Sequence, residues 1–459
     1  MASAMVVDKI LEAQWIIPIV PANTVYENHS VIIKDGKIYD MLPTPAALVR
    51  YKVEDEEKDH FKGGYSTALM PGLINAHTHA AMSLLRSYSD DVPLDEWLQQ
   101  YIWPAEAAHV SDHFCDVGVR LAIAEMIRCG TTCLNDMYFY PDVAARVAKD
   151  LGFRAVIGIP IICFPTPWAN GGDEHLEKGM KVLETYGSSE LLSFTLAPHA
   201  PYTVDDPTFV KLAAIAKEKN LRVHTHLHET AKEVAEGVTQ HNCRPFERVA
   251  KFGLMNSNLI AVHATQLLDE EIKILAENKV NIIHCPESNL KLGSGICDVA
   301  ELVRAGVNVG IGTDGPASND DQDILGEVRT ASLVSSYTTQ TKGNRPMQPH
   351  VFLEMATINN ARALGLDKVV GSIEVGKDAD IIAVNLLTEP VYNPIKNVAH
   401  VGTNEITDVW IRGKQFLGKK KILCMDEEAL MKEAIELGIK IKTTYKPVIT
   451  HSEHPSMMP

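Results

Sequence analysis

The residues best suited to metal chemistry are histidines that alternate along strand-like segments. His77 and His79 end the apolar segment 68–79, and a second segment, 222–230, contains three more histidines at alternate positions. Side chains two residues apart on a strand point to the same face of the sheet. Each segment can therefore direct several imidazole rings toward one site. The histidines of the second segment are His224, His226 and His228.

Carboxylates and one further histidine lie at the ends of strand-like segments in the same way. Glu229 comes directly after the second set of histidines, His263 lies in the segment 259–267, and Asp314 lies in the sequence Gly-Thr-Asp-Gly. Taken alone, each is more often a hydrogen-bonded core residue or part of a turn. Together they offer the nitrogen and oxygen ligands of a divalent metal such as zinc. Burying so many polar groups without a metal or a substrate would be costly.

The middle of the chain alternates strand-like and amphipathic segments. From residue 131 the predicted strands begin every 21 to 38 residues, which is the span of a strand–helix unit. Apolar residues such as Phe209, Leu212 and Ala216 recur between them at helical spacing. The pattern predicts an α/β fold with a (β/α)8 TIM-like barrel, whose site forms at the carboxyl ends of the strands. The predicted strands are 68–79, 131–139, 154–162, 192–202, 222–230, 259–267, 280–288 and 308–315.

Two β-rich stretches flank this alternation, one at each end of the chain. We predict that residues 1–67 and 377–440 meet to form one small β-sandwich domain beside the barrel at 68–376. Residues 441–459 are predicted to be a poorly ordered C-terminal tail.

Composition and charge exclude several classes of protein. The 43 basic and 59 acidic residues give a net charge of −16, and no basic stripe of the kind that nucleic-acid binding requires is present. The longest apolar run, 155–164, has about half the length that crosses a bilayer, and the N-terminus lacks a secretory pattern. Eight cysteines without a CxxC pair fit reduced thiols. We therefore expect a cytoplasmic protein that binds neither nucleic acid nor membrane.

The order of the motifs resembles the amidohydrolase superfamily: His-x-His, then HLHET, a late histidine, and Thr-Asp-Gly. Further stretches narrow the resemblance to the methylthioadenosine/S-adenosylhomocysteine deaminases and their near relatives. It extends from about Trp15 to about Gly418 and includes the return GSIEVGKDADIIAVN into the small domain. The narrowing stretches are PGLINAHTHAAMSLLR, DEWLQQYIWPAE, APHAPYT, CPESNLKLGSG and GTDGPASN.

The resemblance implies one zinc ion per subunit. Two-metal relatives bridge their ions with a lysine or glutamate on the fourth strand, and the fourth segment here, LSFTLAPHAPY, has neither. The family places one ligand three residues before its catalytic glutamate, which selects His226. His224 is then expected as a packing residue in the layer below, and His228 as a group behind the ligands. The implied zinc ligands are His77, His79, His226 and Asp314.

The resemblance also implies hydrolytic deamination. Zinc makes hydroxide available from water near neutral pH, Asp314 takes the proton of that water, and His263 orients it. Glu229 donates a proton to the ring nitrogen beside the carbon under attack, and the adduct expels ammonia. A carboxyl group in a closed pocket keeps its proton longer, which suits Glu229. Glu229 and Asp314 are thereby also substrate contacts.

Four more residues match substrate contacts of the family. Glu106, in WPAE, matches the carboxylate that accepts ribose hydroxyls, and His199 matches the residue that contacts the purine. Trp97 matches the wall beside the ligand's thioether, and Ser318 a residue near the ligand tail. A solvated helix charge is the alternative for Glu106, and a buried structural tryptophan is the alternative for Trp97.

One departure from the family bears on the substrate. Members that accept S-adenosylhomocysteine place arginines after the third strand, where they bind the amino-acid carboxylate. The matching position here is Ile159, and no arginine lies between Arg154 and Arg222. We therefore expect 5′-methylthioadenosine as the first substrate, adenosine as the second and S-adenosylhomocysteine as the third. Lys178 or Lys181 could still supply the missing charge.

Two other functions fit parts of the pattern. An amidohydrolase that acts on guanine, a triazine or another aminated ring could use the same metal site, although Glu106 and His199 favour a nucleoside. A non-catalytic amidohydrolase-like scaffold should lack one or more ligands, whereas all four are present here. Relatives commonly pair through barrel faces, so we expect a homo-oligomer, either a dimer or a tetramer, with a small-molecule nucleoside as substrate.

Overall fold

Eight parallel strands form the centre of the molecule. The computed structural model describes residues 4–89, 92–386, 390–400 and 405–445 of the 459. The strands pair in chain order and are buried along nearly their whole length, as parallel strands covered on both faces must be. Their bounds are Leu73–Thr78, Thr131–Met137, Arg154–Ile161, Leu192–Pro198, Arg222–Leu227, Leu259–His263, Asn281–His284 and Asn308–Ile311.

The first and eighth strands come together through a bridging side chain, which nearly closes the barrel. The Asn360 amide nitrogen donates to the carbonyl oxygens of Ile74 at 2.6 Å and Ile311 at 2.7 Å. A side chain at Gly310 would lie 1.9 Å from Asn360 Oδ1, so only glycine permits this approach. The predicted (β/α)8 TIM-like barrel is confirmed.

Helices surround the barrel and cover its carboxyl end. The helix Pro141–Leu151 buries Ala144, Val147 and Leu151, as helical periodicity requires. The larger helices are Leu94–Glu96 with Trp97–Ile102 and Trp103–His109, Asp112–Arg128, Pro141–Leu151, Gly172–Tyr186, Asp206–Lys219, Ala231–His241, Pro245–Lys251, Asp269–Glu277, Pro286–Lys291, Val299–Arg304, Ile324–Thr341, Pro349–Glu354 and Asn360–Leu364.

The segment predicted as one strand at 68–79 is two strands in different sheets. Thr67–Pro71 lies in the sheet of the small domain between Ile381–Asn385 and Lys9–Ile16, and Leu73–Thr78 begins the barrel. Gly72 lies between them, where a side chain would come within 2.1 Å of Thr132 Oγ1. Both strands are buried along their whole length, and their composition does not show that the chain changes sheets. The predicted domain bounds stay a prediction.

The two ends of the chain meet in a nine-stranded sheet, which confirms the predicted small domain. The sheet curves over its own apolar core, so that the rings of Phe61 and Trp410 lie 5.1 Å apart. The buried Arg154 of the third barrel strand bonds Asp378 at 2.9 Å and Asp380 at 2.8 Å, which ties the two domains together. The strands are Lys9–Ile16, Tyr26–Lys34, Lys37–Pro43, His60–Lys62, Thr67–Pro71, Ile381–Asn385, Ile406–Ile411, Lys414–Gly418 and Lys421–Ile422.

The last helix, Glu427–Lys442, packs against the barrel helix Asp112–Arg128. Beyond it, Thr444 Oγ1 lies 2.6 Å from His109 Nε2. Of the predicted tail at 441–459, residues 446–459 lie outside the described residues. Among the helices that the structure describes, we find none with the length and apolar character needed to cross a membrane.

Candidate active site

Four side chains meet at the carboxyl ends of the first, fifth and eighth barrel strands. Nε2 of His77 and Nε2 of His79 lie 3.2 and 3.1 Å from Asp314 Oδ1. Nε2 of His226 lies 3.2 Å from His77 Nε2. The four donor atoms all lie within 4.8 Å of one another. Three imidazole nitrogens and one carboxylate oxygen form a suitable ligand set for one divalent ion.

Nδ1 of each ligand histidine is hydrogen-bonded to a neighbouring group, so that Nε2 points at the metal position. Nδ1 of His226 donates to the carbonyl oxygen of His199 at 2.6 Å, and Nδ1 of His79 donates to a carbonyl oxygen of the second strand at 2.5 Å. Nδ1 of His77 lies 2.9 Å from Nε2 of His224. With hydrogen on Nδ1, the Nε2 lone pairs are free to bind a metal. The residues present therefore fit zinc.

Two site residues stand in left-handed backbone conformations just after their strands. The φ angle is 73° at His263 and 63° at Asp314, a region that residues other than glycine rarely adopt and that costs about 1–3 kcal/mol. The strands end at His263 and Ile311, earlier than the predicted ends at 267 and 315. The left-handed turn coincides with the strand end at His263 and follows the other strand end by three residues at Asp314. Local backbone strain is thus concentrated where the site is built.

His263 presents a nitrogen to the interior of the site. Its Nδ1 lies 2.8 Å from Asn289 Oδ1, which sets the ring orientation. Its Nε2 is buried and has no hydrogen-bond partner among the described residues. That nitrogen lies 3.7 Å from Glu229 Oε2. A buried polar atom of this kind needs a partner, and water or a substrate held between His263 and Glu229 would provide one.

Glu229 is a buried carboxyl group beside the metal position. Burial raises the pKa of Glu229 above its usual range, and Ser294 donates to Oε1 at 3.3 Å. Its backbone is fixed by Glu233, whose carboxylate accepts the amide hydrogens of His228 at 3.1 Å and Glu229 at 2.6 Å. The raised pKa favours the protonated form of Glu229, and the hydrogen bonds to Glu233 fix the position of its backbone.

Asp314 divides its two oxygens between different partners. Oδ1 faces the histidine nitrogens, and Oδ2 accepts hydrogen bonds from Ser288 at 2.6 Å and Ser318 at 3.1 Å. Burial alone would raise the pKa of Asp314, but the hydrogen bonds from His77 and His79 outweigh it and hold the pKa well below its usual range. Ser318, expected near the ligand tail, therefore lies against the metal-site carboxylate. Its predicted contact with the tail stays a prediction.

A mostly apolar pocket opens beside the metal position. Glu106 lies in its wall, and the Tyr138 hydroxyl donates to its Oε1 at 2.8 Å. Burial raises the pKa of Glu106 to about 7. Glu106 is therefore no solvated helix charge, which was the alternative explanation for this residue.

Trp97 and His199 also line this cavity. Trp97 is buried, and its Nε1 donates to the carbonyl oxygen of Ser89 at 3.0 Å. His199 Nδ1 lies 3.1 Å from Thr203 Oγ1, and burial lowers the pKa of His199 to about 3. A neutral imidazole at this place can exchange hydrogen bonds with an uncharged ring.

The structure around the third strand does not support the expected role of Ile159. Ile159 points outward and packs against the surrounding helix. A side chain added at Gly179 of that helix would lie 2.0 Å from Ile159 Cγ2. The comparison of Ile159 with a substrate-binding arginine is therefore wrong. Pro160 and Ile162 line the cavity instead, and no lysine or arginine does so among the described residues. Lys178 and Lys181 pair with Glu174 and Glu177 on the outer helix, away from the cavity.

The structure also identifies supporting residues that sequence reasoning did not single out. Glu233, Ser288, Asn289 and Tyr138 each bond a predicted site residue. Polar residues one to six positions after a strand end are the available signal, but spacing alone does not show which of them face inward. His224 lies below the metal position as expected, and His228 lies behind it, with Nε2 accepting the Phe246 amide hydrogen at 3.1 Å.

Comparisons with known proteins agree with this geometry. The model of the amidohydrolase family matches residues 68–416. Two relatives, from Saccharophagus degradans and Teredinibacter turnerae, are 40% and 39% identical to this chain. The matches cover 95% and 96% of this chain and 97% and 99% of the relatives. The chain therefore belongs to the amidohydrolase family.

The relatives and solved structures also bear on the narrower resemblance. Both relatives are named 5-methylthioadenosine/S-adenosylhomocysteine deaminase, which confirms the resemblance to that family. The crystal structure of an adenosine deaminase from Xanthomonas campestris with bound zinc has a TM-score of 0.92 and 43% identity, and covers 96% of this chain and 100% of its own. Atrazine chlorohydrolase TrzN from Arthrobacter aurescens has a TM-score of 0.86 at 21% identity over 95% of this chain and 100% of its own, which shows the shared fold alone.

Proposed function

We propose that this protein is a zinc-dependent hydrolytic deaminase of adenosine-type nucleosides, converting 5′-methylthioadenosine and water to 5′-methylthioinosine and ammonia. Adenosine and S-adenosylhomocysteine are further, poorer substrates. One observation carries the proposal: a buried carboxyl group, Glu229, lies between a zinc-ligand set and an apolar cavity with a second buried carboxyl group, Glu106, in its wall. The names of the relatives support the same reaction.

The metal residues and Asp314 provide the nucleophile. One Zn²⁺ bound by His77, His79, His226 and Asp314 would lower the pKa of a coordinated water to about 7. Asp314 Oδ2, held by Ser288 and Ser318, is the proton acceptor for the attacking water. His263 Nε2 orients the water toward the purine carbon that bears the amino group.

Glu229 donates a proton to the substrate, whereas Asp314 accepts one from the water. Its carboxyl group protonates the ring nitrogen beside the attacked carbon, which makes that carbon a better electrophile. The water oxygen forms a bond to carbon, the proton that Asp314 took passes to the amino group, and the carbon–nitrogen bond breaks to release ammonia. The proton left on the new hydroxyl group returns to Glu229, which leaves the carbonyl group of the product. Burial keeps the pKa of Glu229 raised, so the group retains a proton to donate.

The cavity wall recognises the nucleoside. Ionised Glu106 accepts hydrogen bonds from the two ribose hydroxyls, His199 contacts the purine, and Trp97 packs beside the 5′ substituent. Phe139, Pro160 and Ile162 add apolar wall. A methylthio group is matched by apolar contacts, whereas a charged amino-acid tail is not.

Assembly and compartment belong to the same proposal. We infer a homo-oligomer, a dimer or a tetramer, and a cytoplasmic location. All eight cysteines are unpaired, and most are buried, which suits a reducing compartment.

Ammonia release by the zinc-loaded protein tests the proposal. Methylthioadenosine, adenosine, guanine and a triazine are compared at equal concentration, with metal content measured in the same samples. The proposal expects turnover of the nucleosides and none of the free ring compounds. Turnover of guanine or the triazine alone, or zinc-loaded protein inactive on both nucleosides, would contradict it.

A further inference from the structure

The last helix has an apolar stripe that faces away from the molecule. Met431, Ile435 and Ile439 are 50%, 57% and 65% exposed. At about 100° per residue, these side chains fall within about 40° of Ile435 around the helix axis. A contiguous exposed apolar surface of this kind typically marks an interaction site.

The stripe is distinct from the face that holds the helix on the barrel. Leu430, Leu437 and Ile441 are buried and belong to the main core. On the same helical projection they lie on the side opposite Ile435. The helix thus has two apolar faces, and packing onto the barrel accounts for only one of them.

The stripe has a negatively charged residue at one end and a positively charged residue at the other. Glu428 and Lys442 fall on the line of the stripe at its N-terminal and C-terminal ends, and both are exposed. If a second copy of the helix lies antiparallel across Ile435, Glu428 meets Lys442 of the partner subunit, and Met431 meets the partner's Ile439. Ile435 then meets its own counterpart on the two-fold axis. The stripe is self-complementary in charge and in shape, which is the requirement of an isologous interface.

We propose that residues 428–442 form a two-fold interface with a second copy of this chain. The helix is about 24 Å long, and stable interfaces bury about 1,200–2,000 Å² in total. Leu423 and Tyr445, which are 57% and 44% exposed, flank the helix beyond its two ends. Gly438 faces open space, since a side chain added there would meet no atom within 4 Å. Because glycine has no side chain, this position does not hold a second helix away.

Sedimentation velocity of the full chain across a concentration series tests the interface. The unaltered protein is expected to form a dimer that dissociates on dilution. Ile435→Lys places two like charges on the two-fold axis and should leave a monomer with unchanged melting temperature. A parent protein that stays monomeric at the highest concentration overturns the proposal, as does a dimer that is insensitive to Ile435→Lys.

A charge exchange shows whether the pairing is antiparallel. Glu428→Lys and Lys442→Glu, each alone, create two repulsive pairs per dimer and should weaken dimerisation by about tenfold or more. An equimolar mixture of the two variants restores both attractive pairs, so heterodimers should form at the parental affinity. Glu433→Lys and Lys440→Glu, on the same helix but off the stripe, are the matched controls. Failure of the mixture to restore dimers contradicts the antiparallel arrangement.

Discussion

The metal end of the cavity and its nucleoside end are built differently. At the metal end, Asp314, His79, His226 and His263 each have a partner beyond the site that fixes their orientation. At the nucleoside end, the carboxylate of Glu106 has one hydrogen-bond partner among the described residues, Tyr138, in mostly apolar surroundings. The metal end is thus a polar network with several supports, whereas in the proposed function substrate choice depends on shape and one carboxylate. Substitutions at the two ends should therefore have separable effects.

The largest effect is expected from Glu229→Gln. Glutamine keeps the shape but cannot donate the proton, so kcat on methylthioadenosine should fall by about 10²–10⁴-fold while zinc content stays the same. The control is Glu236→Gln in the following helix, where the side chain is half exposed. Near-normal kcat in the Glu229 variant would remove this residue from the proton role.

Glu106→Gln should act on recognition and on stability in opposite directions. Loss of the charge should raise KM for nucleosides by about tenfold or more with little change in kcat. Burial raises the pKa of folded Glu106 to about 7, above that of the unfolded chain. The free energy of unfolding of the parent protein therefore falls as pH rises from about 4 to about 7, because the buried carboxyl group must ionise. Glutamine does not ionise, so the variant should be more stable than the parent by up to about 3 kcal/mol at pH 8.

Denaturant unfolding of the Glu106 variant at pH 4 and pH 8 checks this sign. The stability gain should be present at pH 8 and absent at pH 4. Glu96→Gln, in the same helical stretch but outside the cavity, should change neither KM nor stability. A Glu106 variant that binds nucleosides normally would argue against ribose recognition.

Glu233→Gln should have a smaller effect at the metal end. Its carboxylate accepts two backbone amide hydrogens, which hold the loop that bears Glu229. Glutamine can accept only through one oxygen, so we expect kcat to fall by about tenfold with KM unchanged. Equal changes in kcat and KM, or none, would mean that the loop does not depend on this carboxylate.

The smallest effect is a proton released on zinc binding. Burial lowers the pKa of His79, but the hydrogen bond and charge of Asp314 outweigh it and raise the pKa to about 9. Burial lowers the pKa of His77 to about 4, so that ring is already neutral. Zinc binds neutral imidazole, so loading should release about one proton from His79 at pH 7 and almost none from it at pH 10. The coordinated water, with a pKa of about 7, should add about half a proton at pH 7 and about one at pH 10. Total release should therefore fall from about one and a half protons at pH 7 to about one at pH 10. Calorimetry in two buffers of different ionisation enthalpy measures this number, and no release at pH 7 would contradict the assignment.

The sequence predicted the metal end well, because a strand period of two fixes which side chains share a face. His77, His79 and His226 come together with Asp314 as expected. The nucleoside end was less predictable. The sequence matches Ile159 to a binding position, but the register of the third strand turns it outward. A register cannot be determined from a segment that is apolar at every position after Arg154.

Two further differences have the same physical origin. The single strand expected at 68–79 changes sheets at Gly72, and both parts are buried throughout. The strand that bears His263 ends early because the chain turns left-handed at that residue, and the last strand ends at Ile311, three residues before the left-handed Asp314. Site geometry imposes these features, and local propensity does not indicate them.

The ratio of catalytic efficiencies on methylthioadenosine and S-adenosylhomocysteine tests the central claim most directly. A buried charge without a partner loses about 1.5–3 kcal/mol of charge-assisted hydrogen bonding. With no lysine or arginine among the described residues of the cavity wall, kcat/KM should favour methylthioadenosine by about ten- to a hundredfold. Equal or better use of S-adenosylhomocysteine would show that another group binds its carboxylate, and would contradict the account of an apolar nucleoside end.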